Sequence, residues 1–337
     1  MQRRILDGTG MSVSEFALGT MMFGAMGNTD HEESVRTIHM AIDAGINFID
    51  TADVYSQGES EEIVGKALKG RRDDIVLATK FFHPMGRDEN HHGGSRRWIM
   101  RAVENSLRRL DTDYIDLYQM HRPDPDTDID ETLSALSDLV RAGKVRAIGS
   151  STFPAELIVE AQWAATRGGH HRFVTEQPRY SILTRTIETA VLPTAQRHNM
   201  GVLTYGPLGS GWLSGRENPA QGHRGQGAAA KDFDLSVPAN RAKLDAVEKL
   251  AALANESGLA LPHLATAFVL AHPAVTSVLL GPRTPQQLDS SLAGAGVRLS
   301  EDILDRIDEI VAPGTEVNPD DNYYTNPAIA DPRRRRR

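Results

Sequence analysis

Short apolar runs that end in polar residues alternate with amphipathic stretches along most of this chain, and that alternation narrows its fold more than any other feature. The runs are Phe16–Met21, Asn47–Asp50, Ile75–Lys80, Tyr114–His121, Val145–Ser150, Phe173–Gln177, Gly201–Tyr205 and Val275–Gly281. Between them lie stretches of helical period. One is Asp30–Ala44, with Val35, Ile38 and Ile42 on one face and an Asp30-x-x-Glu33 start that reads as a capping box. Another is Ser95–Leu110, with Ile99, Val103, Leu107 and Leu110 inward. Others centre on Leu133–Val140, Leu157–Ala164, Ile187–His198, Leu264–Ala271 and Gln286–Leu292. Strands alternating with helices imply βαβ units and a parallel sheet. Eight such strands in 337 residues predict an α/β fold of the closed (β/α)8 kind, a TIM barrel, rather than an open doubly wound sheet.

Three segments depart from this rhythm within what reads as a single domain, 1–337. An N-terminal β-hairpin, Ile5 to Leu18, turns at Asp7-Gly8-Thr9-Gly10. After the seventh strand, 206–238 forms a long loop whose stretch Gly206 to Ala230 is rich in Gly, Pro and polar residues, a length that usually means a functional or a disordered segment. The tail, 313–337, holds four prolines and ends in Arg333–Arg337; it reads as a partly flexible, solvated extension.

Charge and composition remove several function classes. A net charge of −8 argues against a nucleic-acid or anionic-membrane binder. Cysteine is absent, which excludes disulfides, thiolate nucleophiles and Cys-ligated zinc. No apolar run approaches the roughly 18 residues that span a bilayer, and Met1-Gln2-Arg3-Arg4-Ile5 has no apolar signal region behind it, so a cytoplasmic location is expected. No metal is expected either. His91-His92 and His170-His171 are adjacent pairs that rarely converge on one ion, and the first strand lacks a terminal His-x-His. No Gly-x-Gly-x-x-Gly follows a strand, which disfavours a Rossmann dehydrogenase.

In a (β/α)8 barrel the site lies where strands end. The runs end at Asp50, Lys80, His121, Ser150, Gln177, Tyr205 and Gly281, six of them polar or ionisable, and Tyr55 follows Asp50 on its loop. Such convergence suits acid–base chemistry. A phenol of ordinary pKa about 10 is a poor donor near neutrality, and lowering it by two units requires about 2.7 kcal/mol. An ammonium about 4 Å away, at an effective dielectric near 20, supplies about 4 kcal/mol. Lys80 suffices for that if Asp50 keeps it charged. His121 would then orient or donate to a carbonyl. Taken as an isolated pair, Asp50 and Lys80 read more readily as a structural ion pair, with His121 merely capping a strand.

The motifs at these ends resemble those of the aldo-keto reductase family, in particular its bacterial-type members. Phe48-Ile49-Asp50-Thr51-Ala52-x-x-Tyr55, Thr79-Lys80 and Asp116-Leu117-Tyr118-x-x-His121 are similar to its signatures, and further matches run from residue 5 to 311. These include Gly143-Lys144-Val145-Arg146-x-Ile148-Gly149-x-Ser151, Glu176-Gln177-x-x-Tyr180-Ser181, Tyr205-Gly206-Pro207-Leu208-Gly209-Ser210-Gly211 and Gly281-Pro282-Arg283-Thr284-Pro285-x-Gln287. The resemblance implies a tetrad of Asp50, Tyr55, Lys80 and His121, and NADPH-dependent reduction of an aldehyde or ketone with Tyr55 as general acid. It implies cofactor contacts from Gly19, Thr20, Met21 and Asp50, a carboxamide held by Ser150, Ser151 and Gln177, and Tyr205 beneath the nicotinamide. Gly206, Pro207, Leu208, Gly209, Ser210 and Gly211 would follow the pyrophosphate. Gly281, Arg283, Thr284 and Gln287 would meet the adenosine end, where an arginine suits a 2′-phosphate and so NADP(H). Ser291 stands where many members have Asn. Phe23, Phe82 and Tyr323 are candidate walls for a small-molecule carbonyl substrate, and Arg179 reads either as a surface residue or as a contact for an anionic substrate. The competing function is an NADPH-binding regulatory, redox-sensing subunit like the β subunits of potassium channels, which share this fold and tetrad.

Overall fold

Parallel strands covered on both faces need side chains that are apolar in both directions, and the barrel strands meet that need. The computed structural model describes residues 1–216, 220, 227–322 and 324–336. Tyr323, Arg337 and the middle of the expected 206–238 loop lie outside them. β1 (Arg3–Ile5) and β2 (Ser12–Ser14) pair antiparallel as the expected hairpin. Eight parallel strands then close a barrel: β3 (Phe16–Gly19), β4 (Phe48–Asp50), β5 (Val76–Phe81), β6 (Ile115–Met120), β7 (Val145–Ser151), β8 (Thr175–Gln177), β9 (Gly201–Thr204) and β10 (Val275–Leu280), with β10 returning to β3.

Helices follow the strands: α1 (His31–Asp43), α2 (Glu59–Ala67), α3 (Arg96–Leu110), α4 (Ile129–Arg141), α5 (Ala155–Gly168) and α6 (Val191–Arg197). Two helices, α7 (Pro238–Glu256) and α8 (Leu261–Ala271), lie between β9 and β10, and α9 (Pro285–Leu292) and α10 (Glu301–Ile310) follow β10. Half of the expected capping box forms: the Asp30 side chain accepts from the Glu33 amide at 2.9 Å, but the Asp30 amide donates to Asn28 Oδ1 and Glu33 accepts from Asn28 instead. Ser95 caps α3 through the Trp98 amide. The sequence periodicity leaves out α2, α7 and α10. α2 is nine residues with four polar ones at its start, and α7 buries mainly small or mixed residues (Ala246, Val247, Ala254), so neither shows strong apolar contrast. α10 fully buries only Ile307.

Two apolar layers result. Phe16, Leu18, Ile49, Leu77, Tyr118, Ile148, Val202 and Val278 face out against the helices. Their neighbours Ala17, Phe48, Ala78, Leu117, Ala147, Leu203 and Leu279 fill the barrel, together with Leu6 and Val13 from the hairpin. The hairpin is therefore a plug for the end where strands begin. Gly201 makes room for it, since a Cβ there would stand 2.8 Å from Leu6 Cδ1. Leu6→Ala should lower the free energy of unfolding by about 2–5 kcal/mol, measured by urea denaturation; a loss no larger than that of an exposed leucine would show that the hairpin does not plug the barrel.

Candidate active site

Side chains on a strand alternate between faces, so the inner positions extend to the mouth in steps of two. From Phe48 the next is Asp50, from Ala78 it is Lys80, and from Leu117 come Gln119 and His121. Gly149 and Ser151 follow Ala147, Gln177 follows Thr175, and Tyr205 follows Leu203. Lys80 Nζ donates to Asp50 Oδ1 at 2.5 Å, to the Thr51 carbonyl at 2.8 Å and to the Tyr55 hydroxyl at 3.3 Å. The other oxygen of Asp50 accepts from Gln119 at 3.0 Å and Gln177 at 2.9 Å. The His121 ring meets the Tyr55 ring edge-on at 5.8 Å. Thus the structure brings Asp50, Tyr55, Lys80 and His121 together, and adds Gln119 and Gln177 as buried supports for the carboxylate.

Burial sets the protonation states. It pulls Lys80 down, but the charges and hydrogen bonds of Asp50 and Tyr55 outweigh it and leave the amine above its ordinary value, hence charged. Tyr55 is raised, because its own burial and the Asp50 charge exceed the opposing effect of Lys80. This differs from the balance expected from a 4 Å ion–phenol pair alone, which omits desolvation of the phenolate. His121 is pushed well below its usual value by burial and then by Lys80 and Arg122, so its ring is neutral; its Nδ1 has no partner among the described residues.

Behind the mouth lies a second buried group of charges. Glu61 of α2 accepts from Thr79 at 2.5 Å and pairs with Arg109 of α3 at 2.6 Å. Asp53, fully buried beside it, is held well above the carboxylate range by burial and by Glu61. Strain also gathers here. Of the seven non-glycine residues with positive φ among the described residues, Ser56, Gln57, Phe82, Thr152 and Ser210 sit on mouth-side loops, while Asp111 and Asn199 follow helices.

The remaining expected contacts divide by face. Ser151 is on the inner register, with Thr152 beyond it and 3.5 Å from the Tyr205 hydroxyl. Ser150 points outward, donating to Glu176 at 2.5 Å, and Thr20 outward to Ser60 at 2.9 Å. Phe23 is fully buried in the outer core rather than on a cavity wall. Phe82 is half-buried at the mouth, next to His83. Gly19 ends β3 and Met21 is half-buried after it. Gly206 to Gly211 turn above β9 with positive φ at Gly206, Gly209 and Gly211. Beyond them Trp212 stacks on Phe233 at 5.1 Å and Lys243 lies over its ring at 4.8 Å, so both ends of this long connection are packed down. Gly281 is exposed beyond β10. Thr284 caps α9 through the Gln287 amide, the Arg283 amide donates to Gln287 Oε1 at 2.8 Å, and Ser291 donates back to the Gln287 carbonyl. Arg179 is buried and held by the Asp321 carbonyl at 2.5 Å and Ser210 at 3.1 Å.

The aldo/keto reductase family model matches residues 15–312. The chain belongs to the aldo/keto reductase family. It is 40% identical to the uncharacterized oxidoreductase YrpG of Bacillus subtilis, over 94% of this chain and 98% of that protein. It is 39% identical to the aldo-keto reductase YhdN of the same organism, over 86% and 87%. A probable voltage-gated potassium channel subunit beta of Arabidopsis thaliana is 34% identical over 92% and 97%. This aldo/keto reductase is thus an oxidoreductase by family, and among its described residues no helix is long and apolar enough to cross a membrane.

Sequence reasoning missed Gln119, Asp53, Glu61, Arg122, Thr152 and Glu176 as parts of this region. Strand parity alone would have flagged Gln119, two residues before His121. Glu176 is raised to about 7 by burial, against hydrogen bonds from Ser150 and the Phe153 amide. From about pH 4.5, where the unfolded carboxyl ionises, to about 7 the folded chain therefore holds a proton the unfolded chain has lost. Over that window the wild type should lose roughly 3 kcal/mol of stability relative to Glu176→Gln, the loss being complete above the folded value. Parallel stability–pH curves for the two proteins would refute it.

Proposed function

We propose that this oxidoreductase reduces an aldehyde or ketone to an alcohol with NADPH, Tyr55 giving the proton. The observation that carries the reading is the Tyr55 hydroxyl at 3.3 Å from an ammonium that Asp50 holds at 2.5 Å. The raised Tyr55 stays protonated near neutrality and so enters the reaction as an acid. When it releases its proton to the carbonyl oxygen, the phenolate forms beside Lys80, whose charge is already in place and needs no reorganisation. Neutral His121 offers a ring N–H to orient that oxygen. Gln119 and Gln177 keep Asp50 in register for Lys80. NADPH, when bound, supplies the hydride.

The residues present fit such a dinucleotide. A Cβ at Gly211 or Gly281 would meet nothing within 4 Å, so a phosphate could approach the backbone closely there, although the Gly211 amide itself donates to the Leu208 carbonyl at 2.9 Å. Arg283 precedes the N-terminus of α9, and a guanidinium beside helix amides suits a phosphate dianion. For the carboxamide, the inner face favours Ser151, Thr152 and Gln177 over the outward Ser150. We place the Gly206–Gly211 turn along the pyrophosphate and Tyr205 beside the nicotinamide.

The similarity to a potassium channel β subunit supports a second reading, in which the chain binds NADPH as a regulatory subunit. Oxidation of NADPH, followed by its near-ultraviolet absorbance with a panel of aldehydes, separates the two. Turnover that falls about 10²-fold or more in Tyr55→Phe supports the reductase; tight NADPH binding without turnover on any aldehyde supports the subunit. For the cofactor, Arg283→Ala should weaken NADPH by about tenfold or more, the effect of one charge-assisted contact, and leave NADH nearly unchanged. Equal weakening of both would remove Arg283 from the 2′-phosphate.

A further inference from the structure

Arg122, the residue after His121, brings a charge to the mouth that the tetrad does not use. Its Nη1 donates to the His121 carbonyl at 2.6 Å and to Thr152 Oγ1 at 3.0 Å, and Thr152 in turn lies 3.5 Å from the Tyr205 hydroxyl. The half-buried guanidinium therefore reaches from the end of β6 across the end of β7, toward the inner side. Its charge is felt by Tyr55, His83 and His121, the groups around which a carbonyl must sit.

Several sheltered arginines of the chain are matched by carboxylates, Arg72 by Asp116, Arg109 by Glu61, Arg179 by Asp321 and Arg185 by Glu188 and Asp308, whereas Arg4 and Arg172, away from the mouth, are held by backbone carbonyls. Arg122 has no such partner among the described residues, and its Nε and Nη2 donate to no described atom. The acids near it are committed elsewhere. Asp124 accepts from the Gly94 amide and Thr127, Glu176 from Ser150 and the Phe153 amide, and Asp50 from Lys80, Gln119 and Gln177. His83, between Phe82 and His121, is lowered to about 4 by burial and by Arg122, so the aromatic wall beside the guanidinium is uncharged near neutrality. A sheltered, unmatched cation costs stability, and the Nε and Nη2 edge it leaves open is the planar fork that takes two oxygens of one carboxylate.

We infer that Arg122 is a specificity-determining residue that receives a carboxylate on the substrate, so that the chain prefers carbonyl compounds bearing an acid group. This rests on the reductase reading. The test compares ortho-, meta- and para-carboxybenzaldehyde with their methyl esters, using the full chain and NADPH, in the wild type, Arg122→Met and Arg122→Lys. The wild type should show a higher kcat/KM for at least one acid than for its ester. Arg122→Met should cut that acid-to-ester ratio about tenfold or more, the effect of losing one charge-assisted contact, and Arg122→Lys should retain part of it. A wild type that reduces the esters as well as the acids overturns the inference while leaving the reductase intact. So does an Arg122→Met that lowers acid and ester alike, which would make the arginine a prop for Thr152 and Tyr205. Failure to reduce any carbonyl would instead overturn the reductase reading and this inference with it.

Discussion

A strand in a closed parallel barrel has two faces and no edge, and every residue on it is assigned to one face by count alone. That constraint organises this molecule. The odd-and-even division that sends Ala17, Phe48, Ala78 and Leu117 inward and Phe16, Ile49, Leu77 and Tyr118 outward also decides what reaches the mouth. Asp50, Lys80, Gln119 and Gln177 continue the inner register and meet one another; Thr20, Thr79, Ser150 and Glu176 continue the outer one and bond to groups behind the strands. A slip of one residue in any strand would exchange the two sets. The plug formed by Leu6 and Val13 closes the end where strands begin, which leaves the other end as the place where polar groups converge.

Placing an ammonium where solvent does not reach is expensive, and the mouth offsets that cost by hydrogen bonding rather than by exposure. Lys80 has three donors and three acceptors: Asp50, the Thr51 carbonyl and Tyr55. Asp50 in turn is fully engaged by Lys80, Gln119 and Gln177. Removing one partner from such a network leaves a buried charge uncompensated, so the side chains constrain one another as firmly as the strands do. Positive φ at Ser56, Gln57, Phe82 and Thr152 shows that the mouth-side backbone is also held in sparsely populated conformations, which persist only where packing overrides local preference.

Much of the barrel was legible because its evidence is local. Each strand is a run of apolar residues with turn signals beside it, and caps such as Asp30 with Glu33 depend on neighbours a few positions away. Of the three helices that escaped the pattern, α2 and α7 show little polar contrast, whereas α10 sets Ile303, Ile307 and Ile310 against acidic neighbours but fully buries only Ile307. Within the site, the tetrad was legible from its motifs and its spacing. The second tier was not: Glu61 bonds Thr79 from 18 positions away and Arg109 pairs with Glu61 from 48, separations at which no periodicity operates.

The amino-acid sequence by itself determined the parallel barrel, the hairpin before it, the arrival of Asp50, Lys80 and His121 at strand ends and that of Tyr55 on the loop after Asp50, because strand parity, helix periodicity and motif spacing act over short distances. Only the tertiary structure decided how those groups share protons and which neighbours face them. Burial raises Tyr55 although Lys80 is beside it, Ser150 turns outward to Glu176, Phe23 lies in the core, and Arg122 keeps its charge without a carboxylate among the described residues. The reason is physical: desolvation and Coulomb energy depend on the surroundings in three dimensions, and those surroundings exist only once the eight strands have closed.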